Sequence, residues 1–115
     1  MDGSNVILTQ HPEGKRGIRI SREDYHLVSE AILSVLQQVE KLTLNELIDQ
    51  VQLTINLSLS NNIAWRILVV KLDLEAKGLI KTVPHKFDRY VVYLKLNRKA
   101  WKRTYRQFEQ TKSAA

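Results

Sequence analysis

Cysteine is absent from this chain of 115 residues, and proline and glycine are scarce, with two and four residues respectively. The lack of cysteine excludes disulfides, thiolate zinc sites and cysteine nucleophiles, and it suits a reducing compartment. The longest apolar run, residues 90–94, is far too short to cross a membrane. The polar residues 1–5 are unlike a secretory signal. We therefore expect one soluble, cytoplasmic domain with its own core.

Charge is distributed unevenly along the chain. Residues 1–76 carry seven basic and ten acidic side chains, a net charge of −3. Residues 77–115 carry eleven basic and two acidic side chains, a net charge of +9. This asymmetry favours a polyanionic partner more than an evenly basic surface does. The alternative is a basic third that acts only as a solubilising tail.

Two capped helices are predicted in the first half of the chain. Ser21 is placed to cap a helix over 22–39, whose apolar residues recur at three- and four-residue steps. Thr43, with Glu46 three residues later, forms a capping-box pattern at the start of a helix over 44–53. Short strands are expected before each helix, at residues 6–8, 18–20 and 41–43.

A third helix is predicted over 61–77, and Gly78 is placed to end it in the left-handed conformation. Beyond Gly78 the apolar period changes to two, which predicts strands at 79–83 and 90–96 joined by a basic turn. Asn97 then begins a C-terminal helix with an aromatic stripe of Trp101, Tyr105 and Phe108.

This order of helices and strands resembles that of winged helix-turn-helix proteins, and two local segments carry the likeness. They are Leu42-Thr43-Leu44-Asn45-Glu46-Leu47 and Leu74-Glu75-Ala76-Lys77-Gly78-Leu79-Ile80. A closer resemblance is to a small family of uncharacterised bacterial winged-helix-like proteins, through His11-Pro12, Tyr25, Trp65 and residues 72–78. The resemblance implies an α+β winged helix and no activity. The expected organisation is an N-terminal extended segment (1–20), a winged-helix domain (21–96) and a basic C-terminal helix and tail (97–115).

DNA binding is the function that this resemblance and the charge distribution favour together. We expect phosphate contacts from the hairpin and the last helix, because backbone contacts need only reachable positive charge. The candidate residues there are Lys81, His85, Lys86, Arg89, Arg98, Lys99, Lys102, Arg103 and Arg106. The third helix offers Asn61, Asn62 and Arg66 to base edges in double-stranded DNA.

Two features argue against simple base reading by the third helix. The turn before it is longer than that of a DNA-binding helix-turn-helix, and its open side is expected to carry Asp73 with Val69 or Val70. Those valines, with Trp101, Tyr105 and Phe108, are equally candidates for a homodimer interface. The aromatic stripe is expected to be buried, within the domain or across a dimer, rather than stacked on bases. The alternative function is thus a non-enzymatic protein-interaction module.

Catalytic and metal-binding patterns are missing from the sequence. Gly14-Lys15-Arg16-Gly17 has the spacing of a backbone-clamping loop, but no helix is predicted before it, which favours a simple turn. The three histidines are scattered, without the spacing of a zinc site. No cofactor, metal, membrane or small-molecule substrate is therefore expected, and an enzyme is disfavoured.

Overall fold

The structure is a computed structural model that describes residues 5–55 and 63–103. Its elements are β1 (Val6–Leu8), β2 (Arg19–Ser21), α1 (Arg22–Gln38), β3 (Leu42–Thr43), α2 (Leu44–Thr54), α3 (Ile63–Ala76), β4 (Ile80–Pro84) and β5 (Val92–Leu96). Residues 98–103 begin a further helix, α4. The chain is therefore α+β, as predicted.

Helix α1 begins where the sequence predicts, because the Ser21 hydroxyl accepts a hydrogen bond from the Asp24 amide over 3.1 Å. Its apolar stripe faces the core: Val28, Ile32 and Leu36 are fully buried. The helix contacts α2, α3 and both sheets, so it is the element around which the others pack.

Helix α2 begins with the predicted capping box. The Thr43 hydroxyl accepts from the Glu46 amide over 3.2 Å, and the Glu46 carboxylate accepts from the Thr43 amide over 2.9 Å. Leu47 and Val51 are fully buried on its inner side. The capping residue belongs to β3, so the same residue starts the helix and pairs with the sheet.

Helix α3 lies in the core and ends as predicted. Ile67 and Val70 are fully buried, and Gly78 adopts a φ of 82° just beyond the helix. A side chain at such a φ is strained, which is why glycine suits this exit. The predicted first residues of this helix, Asn61 and Asn62, lie outside the described residues.

The larger sheet has the strand order β3-β5-β4, with both pairs antiparallel. Ile80 pairs with Leu96 and Lys81 with Lys95, so alternate residues of the hairpin face opposite sides. Leu94 and Leu96 are buried on the inner side. The second strand starts at Val92 and not at residue 90 as predicted, because Asp88 holds the preceding residues in a turn: its carboxylate accepts from the Tyr90 amide and its carbonyl from the Val91 amide.

Residues 5–21 form a separate two-stranded hairpin that folds back onto the helices. Ile7 pairs with Ile20, and Ile20 is buried in the main core. The Thr9 amide donates to the Ile18 carbonyl over 2.9 Å. The N-terminal segment is therefore packed against the domain that follows it.

Among the described residues, no helix is long and apolar enough to span a membrane.

Candidate nucleic-acid interface

Three lysines form a row across the outer face of the larger sheet. Lys81 and Lys95 are direct cross-strand partners in the β4–β5 pair. The β3–β5 register, in which Leu42 pairs with Leu94, places Lys41 opposite Lys95 when it is carried one residue further. At a strand spacing of about 4.8 Å, this lysine row spans roughly 10 Å.

The lysine row lies beside a stacked aromatic pair on the same face. The rings of His85 and Tyr93 stack with centroids 5.6 Å apart, and the Lys41 ammonium lies 4.7 Å from the centre of the Tyr93 ring. Within the described part of the chain, no carboxylate lies within ion-pairing distance of Lys41, Lys81 or Lys95. Among the described residues, the face therefore presents lysines that form no ion pair, and one of them lies over an aromatic ring.

The loop between β4 and β5, residues 85–91 (the tip loop), is ordered by its own hydrogen bonds. The Nδ1 atom of His85 accepts from the amides of Phe87 and Asp88, over 3.0 and 2.9 Å. The Asp88 carboxylate accepts from the Tyr90 amide over 2.9 Å. His85 thus shapes the loop, and Lys86 and Arg89 are exposed on it.

Two large side chains at the tip loop are almost fully exposed. Phe87 is 87% exposed and Tyr90 is 84% exposed. Each ring has a cation beside it: the Lys86 ammonium is 5.9 Å from the Phe87 ring and the Arg89 guanidinium 5.4 Å from the Tyr90 ring. Exposed aromatic rings flanked by cations are a feature of surfaces that bind nucleic acid or membranes.

Helix α4 begins beside the lysine row. The Asn97 side chain caps it, as predicted, by accepting from the Ala100 amide over 3.3 Å. The Arg98 guanidinium donates to the Val39 carbonyl over 3.3 Å, which holds the helix start near the segment that leads to Lys41. Its exposed basic residues are Arg98, Lys99, Lys102 and Arg103.

The aromatic stripe of this helix is described only at its first member. Trp101 is half-buried and packs against the main core of its own chain. Tyr105, Arg106 and Phe108 lie outside the described residues. Of the two arrangements expected for the aromatic stripe, Trp101 adopts packing within its own domain.

The face of α3 that was expected to be open is covered. Val69 is 5% exposed and Val70 fully buried, so the prediction that they lie on the open side of this helix as interface residues is wrong. For Val69 the reason is that residues 9–18 of the N-terminal hairpin approach α3, where Thr9 and Ile18 lie beside it. Val70 is buried because it belongs to the main core. Arg66 forms an ion pair with Asp24 over 3.3 Å, so this candidate base-reading residue contacts the start of α1.

Asp73, also expected on the open side, is fully buried in a polar cluster with Tyr25, Lys77 and Gln10. Its Oδ2 atom accepts a hydrogen bond from the Tyr25 hydroxyl and forms an ion pair with the Lys77 ammonium over 2.8 Å. Its Oδ1 atom accepts a hydrogen bond from the backbone N–H of Gln10 over 2.8 Å. The buried carboxylate is thereby fully partnered, which is the condition for burying a charge.

The cluster raises the pKa of two of its members, Tyr25 and Lys77. Burial, and then the hydrogen bond to the Asp73 carboxylate, raises the pKa of Tyr25 above its usual value. Burial acts to lower the pKa of Lys77, but its bonds to Asp73 and Tyr25 outweigh burial, so that this pKa is raised on balance. Both residues keep their protons at neutral pH, and the cluster joins the N-terminal segment, α1 and α3.

Metal ligands do not cluster in residues 5–55 and 63–103, where no group of three His, Asp or Glu side chains is placed to hold an ion. The cavity beside the Asp73 cluster, between residues 9–18 and α3, has a volume of only about 30 Å³. It is far smaller than the roughly 300–1,000 Å³ of a small-molecule site.

Sequence reasoning missed four residues of this surface. Lys95 and Lys41 have a signal in the period-two pattern, which places them on the face of Tyr93 once the strand register is known. Phe87 and Tyr90 have a weaker sequence signal, because each is an aromatic residue that directly follows a cation in the predicted turn region. The sequence predicts a basic turn between the strands and places Tyr90 in the second strand, so it gives no expectation that the two rings are exposed.

These features define an α+β protein with a basic sheet face that continues into an aromatic loop and a basic helix. Residues 6–90 match the DUF6958 family, a family of unknown function. The match covers well over half of the chain, so the protein belongs to this family. Neither a search of curated proteins nor a search of solved structures found a match.

Proposed function

We propose that this chain is a winged-helix protein that binds double-stranded DNA through phosphate contacts from the β4–β5 hairpin and α4. The observation that carries the proposal is the lysine row. Like charges placed directly opposite one another weaken a sheet. Three lysines on this face, with no carboxylate within ion-pairing distance among the described residues, therefore indicate an anionic ligand.

The arrangement of the basic residues supports a backbone contact. In chain order, Lys86 and Arg89 lie on the tip loop, Lys95 on β5 and four cations on the start of α4, which Arg98 holds near the segment before Lys41. Residues 77–103 carry nine basic side chains and one acidic, a net charge of +8. Positive charge at reachable spacing is what phosphate contacts require, and it carries no sequence preference of its own.

The winged-helix assignment is supported by the element order and by the sheet. A short strand between α1 and α2 pairs with the second strand of the hairpin that follows α3. In this arrangement α3 is the helix that enters a groove in other DNA-binding proteins. Here Val69 and Leu72 of α3 lie beside residues 9–18 of the N-terminal hairpin, and Asp73 bonds to Gln10, so the proposal gives the contact to the β4–β5 hairpin and α4.

The proposal is a binding role, in the cytoplasm and without catalysis. For the lack of catalysis, its support is the closed state of the polar cluster around Asp73, where both carboxylate oxygens are occupied. The rival hypothesis is a dimerising interaction module. Val69 and Val70 cannot serve as its contact residues, because both are buried within the chain. Homodimerisation itself remains a prediction.

The first test is the salt dependence of duplex DNA binding. We expect affinity to fall steeply with salt, because each phosphate contact releases counterions and contributes about 0.9 to the slope of log K against log salt. Lys81→Gln combined with Lys95→Gln should lower that slope by about 2. Replacing Arg98, Lys99, Lys102 and Arg103 together by glutamine should lower it by about 3 to 4.

A matched control removes two positive charges elsewhere. Lys15→Gln with Arg16→Gln changes the net charge equally, but these residues are exposed in the N-terminal turn, where Lys15 pairs with Glu13. This variant should keep the wild-type slope. No binding of duplex DNA at low salt, or equal losses in the sheet and control variants, would rule out the proposed interface.

A further inference from the structure

We propose that the tip loop and the groove beside it hold an unpaired base, so that the preferred ligand is a DNA duplex interrupted by an unpaired nucleotide. This inference rests on the proposed function and adds to it the form of DNA that is bound. The lysine row would hold backbone phosphates, and Phe87 and Tyr90 would stack on bases.

The first support is the way in which the two rings are presented. Exposing Phe87 and Tyr90 to water is unfavourable, and a loose loop would bring them onto the protein surface. The tip loop is instead held open by the His85 and Asp88 hydrogen bonds, and its ends are joined by the bond from the His85 amide to the Val91 carbonyl over 3.0 Å. The rings are therefore displayed by a folded loop.

The second support is a groove between the tip loop and the start of α2. It has a volume of about 390 Å³ and is lined by Thr43, Leu44, Asn45, Tyr90, Val91 and Val92. Tyr90, Leu44 and Val92 supply apolar surface, while Asn45 is exposed at the rim. A base has two apolar faces and a polar edge, and an asparagine amide pairs well with such an edge.

The third support is the positive charge beside the two rings, which favours nucleic acid over uncharged ligands that contain aromatic rings. A base enters with its phosphates, and Lys86 and Arg89 lie beside the rings on which it would stack. Stacking on an aromatic side chain strengthens binding by about five- to a hundredfold per base. A fully paired duplex keeps its bases stacked internally, so only an unpaired base gains this contact.

The test compares two duplexes that differ by one unpaired nucleotide, 2-aminopurine, whose emission is quenched by stacking. Fluorescence anisotropy should show that the wild-type protein binds the interrupted duplex at least about fivefold more tightly than the perfect one. Binding should also change the 2-aminopurine emission. Tyr90→Ala should remove both effects, while Tyr90→Phe should retain them because the ring remains.

Two comparisons separate this inference from the function on which it rests. Lys81→Gln with Lys95→Gln should weaken binding of both duplexes alike and leave their ratio unchanged. Equal binding of the two duplexes by the wild type would overturn the unpaired-base inference and leave phosphate binding intact. Failure to bind either duplex would overturn both.

A membrane is the other surface that exposed aromatic and basic residues fit. Vesicles of phosphatidylcholine and phosphatidylserine provide that comparison, with Phe87→Ala and Tyr90→Ala as variants. Binding of vesicles that is lost in both variants, together with equal binding of the two duplexes, would assign the tip loop to lipid. Since both side chains are over four-fifths exposed, circular dichroism should show the wild-type fold in each variant.

Discussion

Asp73 carries a charge at a position that no solvent reaches, and three different parts of the chain supply its partners. The Gln10 amide comes from the N-terminal segment, Tyr25 from α1 and Lys77 from the end of α3. Each partner lies far from the others in sequence or on a different element. The carboxylate of Asp73 therefore joins three segments of the chain. The free-energy cost of burying it is offset only when all three segments are folded together.

Tyr25→Phe tests this junction at the level of one oxygen atom. The change removes the donor to Asp73 while keeping the ring, and Lys77 and Gln10 remain as partners. We expect the free energy of unfolding to fall by about 1.5–3 kcal/mol, the range for a hydrogen bond to a charged group. Urea denaturation measures it. Tyr90→Phe is the matched control, expected to be near neutral because Tyr90 is exposed.

The raised pKa values of Tyr25 and Lys77 predict a loss of stability at alkaline pH. Each group holds its proton more tightly in the folded than in the unfolded chain. Their contribution is therefore complete below the unfolded pKa values of about 10 and is lost as pH rises through the folded ones. Denaturation at increasing pH should show a steeper decline above about pH 10 for the wild type than for Tyr25→Phe combined with Lys77→Met. Parallel curves would contradict this assignment.

The N-terminal hairpin packs on α1 through its strands and approaches α3 through residues 9–18. Its turn depends on a close approach, because Gly17 lies directly against the Thr9 carbonyl. The Thr9 and Ile18 amides and the Thr9 hydroxyl join the two sides of the hairpin next to this contact. A glycine is needed at position 17 for space.

Gly17→Ala should detach this hairpin locally. Any Cβ at position 17 would overlap the Thr9 carbonyl, so we expect a loss of about 1–3 kcal/mol, as for overpacking. Hydrogen exchange should show faster exchange of the Thr9 amide, while amides in the middle of α1 remain protected. Gly14→Asn is the control, because Gly14 has open space around it and a φ of 77° that asparagine tolerates. Unchanged exchange of the Thr9 amide in Gly17→Ala would contradict this role.

At the scale of the whole molecule, charge and stability are expected to conflict. The lysine row lies on the sheet that closes the core, where Lys95 pairs directly with Lys81 and Lys41 lies over the ring of the nearby Tyr93. The repulsion weakens the sheet, and a phosphate backbone would relieve it. The same residues thus lower the stability of the free protein and supply its proposed function.

Lys95→Glu should therefore stabilise the protein and weaken binding. Opposite charges across a strand pair contribute about 0.2–1 kcal/mol relative to a neutral pair, so we expect a gain of about that size in the free energy of unfolding. Duplex DNA binding should weaken about as much as in the Lys81→Gln and Lys95→Gln double variant, because both changes remove two units of positive charge. Lys95→Gln should be intermediate in both measurements. A Lys95→Glu variant that is less stable than the wild type and binds DNA as tightly would contradict this expectation.

The helices were predictable because their signals are local. Ser21, Thr43 with Glu46, Gly78 and Asn97 act within one turn of a helix end, so the residues that decide the boundary are neighbours in sequence. The start of β5 could not be predicted from the sequence. The hydrogen bonds of Asp88 that keep Tyr90 in a turn depend on the conformation of the whole loop.

The sequence by itself determined the α+β class, the order of the helices and strands, and the basic C-terminal third, since each depends on spacing or composition. The tertiary structure alone decided which side chains share a face. It buried Val70 in the core, and it placed Val69 and Asp73 beside a segment that lies about sixty residues earlier in the chain, with Gln10 bonded to Asp73. It also brought Lys41, from a different part of the chain, over the ring of Tyr93. The physical reason is that burial and strand register depend on contacts between distant residues, which no local pattern records.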